Sequence, residues 1–286
     1  MEYIVQNNNV FIKGIKDFNA AHTFDCGQCF RWEKQDDGSY TGVAFGKVVN
    51  VSDTDDGILI KNTTLEDAKN IWTDYLDLKR DYNSIKELYK NDANLKPAME
   101  FGYGIKILKQ EIFECLVSFI ISTQNAIPRI KKIVSKLSCM YGDKIEYEGN
   151  EYYCFPTPEQ LKDVTEKDLE PLKAGYRAGY IADCVNKVVS GEIDLEKIAV
   201  MDIDDARKEL LKIKGVGPKV ADCVMLFSMC KYESFPIDVW VKRTMSTLYL
   251  DENATNTAIQ KYAKDNFGEY AGMAQQYLFY YARENW

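Results

Sequence analysis

The segment LLKIKGVGPKVADC, residues 210–223, decides how the second half of this chain is organised. The leucine and isoleucine residues before the glycines are spaced to lie on one buried face of a helix. Gly215 and Gly217 permit positive φ values in a tight turn. Pro218 stands where a helix tolerates proline best, at its first position. The segment therefore predicts two helices joined by a very short hairpin.

Such a hairpin presents backbone amides beside the positive end of the second helix, and its glycines carry no side chain that blocks access. Lys212 and Lys214 add positive charge next to the turn. This arrangement favours binding of a phosphate group. A plain helical hairpin without a ligand is the alternative interpretation, because a Gly-x-Gly pair by itself is common.

The distribution of charge supports an anionic partner, although the whole chain is acidic. The formal net charge is −8 and the pI is about 5.0, which argues against a surface that is basic all over. Residues 129–144 and residues 207–219, however, each contain five Lys or Arg residues and a single acidic residue. A solvated helix face is the usual explanation of one such run, whereas two runs beside exposed turns favour phosphate binding.

The composition excludes several classes of function. With 286 residues, 46% hydrophobic and 28% charged, the chain is typical of a folded protein of one or two domains. Its apolar runs are too short to span a bilayer and no secretory signal precedes them, so we expect a cytoplasmic protein, associated with the nucleoid if the cell is bacterial. One histidine and no P-loop exclude histidine triads and P-loop nucleotide hydrolysis.

The eight cysteines are dispersed, so we expect reduced thiols rather than a disulfide framework. Cys26 and Cys29 form a C-x-x-C pair, but no second pair lies at zinc-finger spacing, and we predict no metal site. Candidate chemistry must therefore depend on Lys, Asp, Glu, Cys or Tyr side chains.

Periodicity predicts an α+β chain, with a small antiparallel β-sheet domain first and a helical domain after it. Turn signals at Asp37-Gly38 and Asp56-Gly57 separate segments rich in β-forming residues up to about residue 62. We assign residues 1–100 to the sheet domain with flanking helices and residues 101–286 to the helical domain. The helices that we predict after residue 100 span residues 107–122, 126–141, 158–163, 167–171, 177–190, 204–213, 218–230, 238–249, 254–267 and 270–284.

Three motifs resemble those of a known family, the helix-hairpin-helix DNA glycosylases with a Gly/Pro-Asp loop. The hairpin GVGPK (residues 215–219) is followed by FPIDV (residues 235–239), at the spacing where that family carries its catalytic aspartate. CGQCFRW (residues 26–32) is similar to the Gly-Gln-x-Phe-Arg-Trp signature of the 8-oxoguanine branch. Weaker similarities extend over most of the chain, at STQN (residues 122–125), GYRA (residues 175–178) and GMAQ (residues 272–275).

The resemblance implies a bifunctional DNA repair enzyme that excises 8-oxoguanine from duplex DNA and then acts as a lyase on the abasic site. Lys219 is implied as the amine that attacks the sugar C1′ and forms a Schiff base, after which β-elimination cleaves the strand. Asp238 is implied to stabilise the positive charge that grows as the base leaves. We expect no cofactor, because the iron–sulfur cluster found in some relatives would need four C-terminal cysteines and none follows Cys230. We also expect the chain to act as a monomer.

The resemblance also implies a pocket for a base that has left the stack. The Gly27 carbonyl would accept from the N7–H that 8-oxoguanine has and guanine lacks, and Gln275 would read the Watson–Crick edge. Cys223 and Phe279 would sandwich the ring, and Phe227 would form a further apolar wall.

Other residues are implied to bind DNA around the extruded nucleotide. Tyr176 would fill the vacated stack, and Gln124, Arg129 and Arg177 would address the orphaned partner base, with a moderate preference for cytosine. The remaining DNA-binding positions that we predict are Asn125, Lys214, Gly215, Val216, Gly217 and Trp240, where Trp240 replaces the histidine often found in the family.

Two other functions are compatible with parts of the pattern. A monofunctional glycosylase for alkylated bases would use Asp238 to assist a water molecule and would need no lysine. A helix-hairpin-helix module could instead bind DNA without catalysis. The presence of both Lys219 and Asp238, together with the motif at residues 26–32, favours the bifunctional enzyme.

Overall fold

The computed structural model describes residues 1–286 and begins with a six-stranded antiparallel sheet in the order β1-β2-β6-β5-β4-β3. The predicted α+β class is confirmed. Val10, Val51 and Ile60 lie at matched positions of three neighbouring strands, and all three are fully buried. The strands are β1 (Glu2–Gln6), β2 (Asn9–Lys13), β3 (Trp32–Lys34), β4 (Tyr40–Ala44), β5 (Lys47–Thr54) and β6 (Gly57–Lys61).

Helices make up most of the chain after the sheet. A π-helical turn, Ala68–Trp72, joins α2 to α3, and 3₁₀ turns cover Glu159–Leu161, Glu170–Leu172 and Gly268–Tyr270. The α-helices are α1 (Ala20–Phe24), α2 (Leu65–Asp67), α3 (Thr73–Tyr75), α4 (Tyr82–Leu88), α5 (Leu95–Phe101), α6 (Ile112–Ser122), α7 (Ile127–Tyr141), α8 (Arg177–Val189), α9 (Leu195–Val200), α10 (Ile203–Leu210), α11 (Pro218–Ser228), α12 (Val239–Leu248), α13 (Asn256–Asn266) and α14 (Ala271–Asn285).

Several boundaries differ from the predictions for physical reasons. Within the predicted sheet region, residues 40–51 form two strands, because Phe45 and Gly46 both take positive φ values and reverse the chain. The helix predicted from residue 107 begins at Ile112 instead. The helices predicted over 158–163 and 167–171 are only short 3₁₀ turns, and a hairpin of β7 (Lys144–Tyr147) and β8 (Asn150–Tyr153) was not predicted.

Two hydrophobic cores meet at the loop that follows α1. One core lies between the sheet and the helical segment around Trp72, and the other fills the helical bundle. Cys29 belongs to the sheet core, whereas Cys26 and Phe30 belong to the helical core. The loop is therefore fixed from both sides.

The boundary that we place between residues 100 and 101 stays a prediction. Helices α4 and α5, which precede that boundary, pack into the helical core. None of the helices is both long enough and apolar enough to cross a bilayer. The eight cysteines form no disulfide, and five of them are buried.

Candidate active site

The predicted hairpin is present between α10 and α11, with Pro218 as the first residue of α11. Gly215 has a φ of +86°, and a Cβ atom there would lie 2.2 Å from the Tyr180 ring, so both the backbone and the packing require glycine. The expectation of a positive φ at Gly217 is wrong. Gly217 is extended, with a φ of −99°, and is the N-cap residue of α11.

The outer edge of the hairpin offers hydrogen-bond donors. The N–H groups of Gly215 and Gly217 donate to no backbone carbonyl, and nothing lies within 4 Å of where a Cβ atom of Gly217 would be. The Lys214 N–H donates to Asp183 Oδ2 at 2.8 Å, which fixes the turn, while the Lys214 side chain is exposed. Val216 is buried and anchors the hairpin to the helical core. This edge fits a phosphate oxygen.

Lys219 lies in the first turn of α11, where the helix dipole is positive, and its side chain is partly buried. Its Nζ lies 3.4 Å from Ser122 Oγ and 4.9 Å from the centre of the Phe119 ring. The amine is thus held over an aromatic face with few polar neighbours, and it points into a cleft rather than into bulk solvent.

Asp238 faces the same cleft from the start of α12. Its carboxylate accepts from the Val241 N–H at 2.8 Å and so caps α12. Burial raises the pKa of Asp238, while the Val241 N–H and the positive charge of Lys219 act in the opposite direction.

A buried ion pair connects the two helices of the hairpin behind these groups. Arg207 donates from Nε and Nη2 to Asp222 Oδ1, at 3.0 and 2.8 Å. Gln260 Nε2 donates to Asp222 Oδ2 at 3.0 Å and to the Phe235 carbonyl at 2.8 Å. Asp222 is only 1% exposed, and burial raises its pKa to about 6. The network ties α11 to the segment that leads into Asp238.

The cleft has a volume of about 1350 Å³ and brings most of the predicted site residues together. The predicted residues that line it are Gly27, Gln124, Asn125, Gly215, Gly217, Lys219, Asp238, Trp240 and Phe279. Other residues also line the cleft and were not predicted as site residues, although all but Phe119 lie within the quoted motifs: Phe30, Phe119, Ser122, Thr123 and Ile237. Phe119 lies in an apolar helical run with no motif around it, so only the three-dimensional packing reveals it.

Gly27, in the loop after α1, forms another part of the cleft wall. Its φ is +85°, and a Cβ atom there would lie 3.0 Å from Phe279 Cε1 and 3.3 Å from Arg283 Nη1. The Gly27 carbonyl accepts no hydrogen bond from any backbone N–H. Any larger residue would therefore strain the backbone and press on the aromatic ring, and the free carbonyl is available to a ligand.

Two buried glutamines hold this wall in place. Gln28 donates from Nε2 to the Thr23 and Lys106 carbonyls, and its Oε1 accepts from the Leu108 N–H at 2.9 Å. These bonds also explain why residues 107–110 are not helical. Gln276 of α14 donates to the Cys26 carbonyl at 2.6 Å, so the last helix positions the loop as well.

The other three predicted pocket residues, Cys223, Gln275 and Phe227, are buried and do not line the cleft. Burial raises the pKa of the Cys223 thiol to about 12, so at neutral pH it is an uncharged apolar surface beside Lys219. Gln275 is 4% exposed and its buried Oε1 has no hydrogen-bond partner. Phe227 stacks on Phe119 with ring centres 5.5 Å apart, and it does not line the cleft. It supports the ring that does.

The groups predicted to address the partner base form one cluster at the rim. Tyr176 is 47% exposed, and the Arg177 guanidinium lies 4.6 Å from the centre of its ring. Arg177 itself is buried and donates to the carbonyls of Thr123, Gln124 and Ala174. In the free protein this arginine thus fixes a turn in which Gln124 takes a φ of +48°.

Arg129 and Asn125 complete this rim cluster. Arg129 is exposed, with one donor on the Lys173 carbonyl at 3.0 Å. Asn125 donates from Nδ2 to the Ile121 carbonyl at 3.1 Å, which fixes the end of α6. Arg129 therefore keeps free donors at the surface, whereas Arg177 does not.

A lysine at the start of the second hairpin helix, an aspartate facing it and a hairpin edge rich in free amides define a DNA glycosylase of the helix-hairpin-helix class. The chain belongs to the HhH-GPD superfamily of base excision DNA repair proteins, whose family model matches residues 117–269. The model described as 8-oxoguanine DNA glycosylase, N-terminal domain, matches residues 10–116. The suspected family is therefore confirmed.

Known proteins are similar over most of the chain. A crystal structure of the Clostridium acetobutylicum 8-oxoguanine glycosylase/lyase, in complex with DNA containing cytosine opposite 8-oxoguanine, is 46% identical, with a TM-score of 0.98 over 100% of this chain and 98% of that one. A probable N-glycosylase/DNA lyase of Methanothermobacter thermautotrophicus is 33% identical over 73% of each chain. The Arabidopsis thaliana N-glycosylase/DNA lyase OGG1 is 30% identical over 90% of this chain and 75% of its own.

Proposed function

We propose that this chain excises 8-oxoguanine from double-stranded DNA and then cleaves the strand at the same nucleotide. The observation that carries the proposal is one cleft lined by Lys219, by Asp238 and by Gly27, whose carbonyl accepts no backbone hydrogen bond. A nucleophile and a group that distinguishes oxidised from normal guanine can thus reach one extruded nucleotide.

The chemistry follows from the positions of the two charged groups. Lys219 Nζ forms a bond to C1′ as the bond from C1′ to the base nitrogen breaks, and the base leaves with the electron pair. The carboxylate of Asp238 stabilises the positive charge that develops on the sugar in this step. The amine nitrogen then gives up its two protons, one to the departed base and one to O4′ as the bond from C1′ to O4′ breaks, and the double bond of the Schiff base forms between Nζ and C1′. Loss of a C2′ proton expels the 3′ phosphate and cleaves the strand.

Recognition of the base uses the wall around Gly27. The Gly27 carbonyl accepts from N7–H of 8-oxoguanine, whereas guanine has only a lone pair there, and the two acceptors repel each other. The unpaired Oε1 of Gln275 meets a donor on the Watson–Crick edge of the base. Cys223 and Phe279 cover the two faces of the ring, and Phe227 acts only through Phe119.

The DNA strands lie along the rim. The exposed Tyr176 enters the gap that the extruded base leaves, and Gln124 and Arg129 face the partner base, held by the Arg177 turn. The hairpin amides, with the exposed Lys214 beside them, bind a phosphate, and Trp240 lies near the phosphate of the extruded nucleotide. The chain acts as a monomer in the cytoplasm.

Trapping with borohydride tests this function directly, because reduction of a Schiff base fixes the protein on its DNA. Duplexes carrying 8-oxoguanine, uracil or an alkylated purine are compared, and we expect a covalent complex and strand cleavage only with 8-oxoguanine. Lys219→Gln should lose trapping and excision while still binding DNA. Lys13→Gln, which removes a surface lysine of the sheet paired with Asp56, is the matched control and should behave as wild type. Trapping of Lys219→Gln at the wild-type yield contradicts the mechanism.

A further inference from the structure

Ser122, the last residue of α6, supplies the one oxygen in hydrogen-bond contact with the Lys219 amine. Its Oγ lies 3.4 Å from Lys219 Nζ and donates to the Phe119 carbonyl at 2.7 Å. Lys219 forms no ion pair, and the face of the Phe119 ring lies 4.9 Å from Nζ. Ser122 is partly exposed and lines the same cleft as Lys219. The hydroxyl and the amine therefore meet at the surface of the cleft.

The direction of the Ser122 hydroxyl decides what it does to the amine. A serine hydroxyl has one proton and two lone pairs. Because the proton is given to the Phe119 carbonyl, the oxygen can only accept a hydrogen bond from Lys219. A hydroxyl that donated to the amine would occupy the lone pair with which the nitrogen attacks carbon. The bond of Ser122 to its own helix thus leaves the lone pair of Lys219 free.

Ser122 and Phe119 contact the amine from the same helix. The oxygen and the negative face of the ring both attract the N–H groups of the amine. When these groups are directed at α6, the remaining direction of the tetrahedral nitrogen points away from α6. The long lysine side chain is otherwise flexible, so these two contacts restrict the directions in which its nitrogen can attack.

We infer that Ser122 is a positioning residue, which accepts a hydrogen bond from Lys219 and directs the lone pair of the amine at C1′. This role rests on the proposed function and adds a residue to it. Excision and the reaction with a preformed abasic site both begin with attack by the amine, so both depend on Ser122, whereas binding of DNA does not. Rates of attack are sensitive to the orientation of the nucleophile, so the loss of one contact is enough to slow both reactions.

Two variants of Ser122 test this role. Ser122→Ala removes the acceptor, and Ser122→Thr keeps a hydroxyl that can bond to the preceding turn of the helix. At saturating DNA, we expect Ser122→Ala to slow both single-turnover excision of 8-oxoguanine and borohydride trapping on a preformed abasic site by about tenfold. The dissociation constant for a duplex with an uncleavable tetrahydrofuran abasic analogue should not change. Ser122→Thr should recover most of both rates.

Ser228→Ala is the matched control. Ser228 is the last residue of α11 and donates to the Val224 carbonyl at 2.6 Å, so it makes the same kind of bond at the end of a helix, but it does not line the cleft. Both rates should stay at the wild-type level in this variant. Unchanged rates in Ser122→Ala, a loss confined to DNA binding, a threonine variant as slow as the alanine variant, or an equal loss in Ser228→Ala overturns the inference. Absence of excision and trapping in the wild type overturns the proposed function instead.

Discussion

The two sides of the cleft are built in opposite ways. The two charged groups of the site are close in sequence, since Lys219 belongs to the hairpin of α10 and α11 and Asp238 follows at the start of α12. The Gly27 wall is assembled from distant parts of the chain, since the hydrogen bond from Gln276 to Cys26 joins residues 250 positions apart. The residues that we propose for catalysis thus lie close together in sequence, whereas those that position the Gly27 loop lie far apart. Substitutions on the two sides should therefore affect different steps of the reaction.

The largest effect after loss of the nucleophile is expected for Asp238→Asn. Asparagine can still cap α12 through its side-chain oxygen, but it cannot stabilise the positive charge on the sugar. We expect single-turnover excision of 8-oxoguanine to slow by about a hundredfold, while the free energy of unfolding changes by less than about 1 kcal/mol. Unchanged excision would place the chemistry elsewhere than on this side of the cleft.

Asp238→Asn should also change how excision depends on pH. Burial raises the pKa of Asp238, so the ionised form is lost at a higher pH than for an exposed aspartate. Wild-type excision should decline as the pH falls through that raised pKa, and Asp238→Asn should flatten this decline. Asp194→Asn, at an exposed N-cap remote from the cleft, is the control and should keep both the rate and the wild-type pH profile.

Gly27→Ala, in the cleft wall, should separate recognition from strand cleavage. The added methyl group meets Phe279 and Arg283 at a position where the φ of +85° already disfavours alanine. We expect excision of 8-oxoguanine to fall by about tenfold or more, while cleavage of a preformed abasic site, which needs no base pocket, stays near the wild-type rate.

Gly38→Ala is the matched control for that experiment. Gly38 has a φ of +84°, but nothing lies within 4 Å of its Cβ position. Gly38→Ala should lower the unfolding temperature through the same kind of backbone strain, and the rate of excision should not change. Equal losses of excision and abasic cleavage in Gly27→Ala would mean that the two sides of the cleft do not act separately.

The same contrast explains what could be predicted from the sequence. The hairpin and Pro218 at the start of α11 follow from local residue preferences, and the structure confirms them. Gln28 lies inside a predicted motif, yet its role as a brace between α1 and residues 106–108 depends on contacts that are distant in sequence. Antiparallel strands were predicted up to about residue 62, but the bounds of the first two strands and the pairing of β2 with β6 come only from the structure.

Within the site, Arg177 shows most clearly what could not be predicted from the sequence. The sequence suggests a free arginine fork near the partner base, because nothing local indicates that its donors are used. The structure buries it under Tyr176 and directs its donors to backbone carbonyls of the turn after α6. Its assignment as a DNA-binding residue stays a prediction, and its structural contacts add a positioning role.

The framework of the lysine side can be tested through Asp222, whose pKa is raised to about 6 by burial. Because the folded state holds the proton more tightly than the unfolded state, this group contributes most stability at low pH and loses it as the pH rises from about 4 to 6. Relative to Asp222→Asn, wild type should lose about 2 kcal/mol of unfolding free energy between about pH 4.5 and pH 7. Asp204→Asn, which removes only the exposed partner of Arg207, should show no such difference in urea unfolding.

The smallest effect on excision is expected for the rim residues that we propose to contact the partner base. Arg129 can present free donors to the acceptor edge of an orphaned cytosine, whereas adenine offers an amine there and pairs poorly with them. Gln124 can approach the same base only while Arg177 holds its backbone at a φ of +48°. We therefore expect a cytosine preference of severalfold in single-turnover excision opposite the four bases, in line with the modest worth of one net hydrogen bond. Arg177→Ala should reduce it more than Lys144→Ala, because the turn loses its clamp. Equal rates opposite all four bases in wild type would mean that these side chains serve only the DNA backbone.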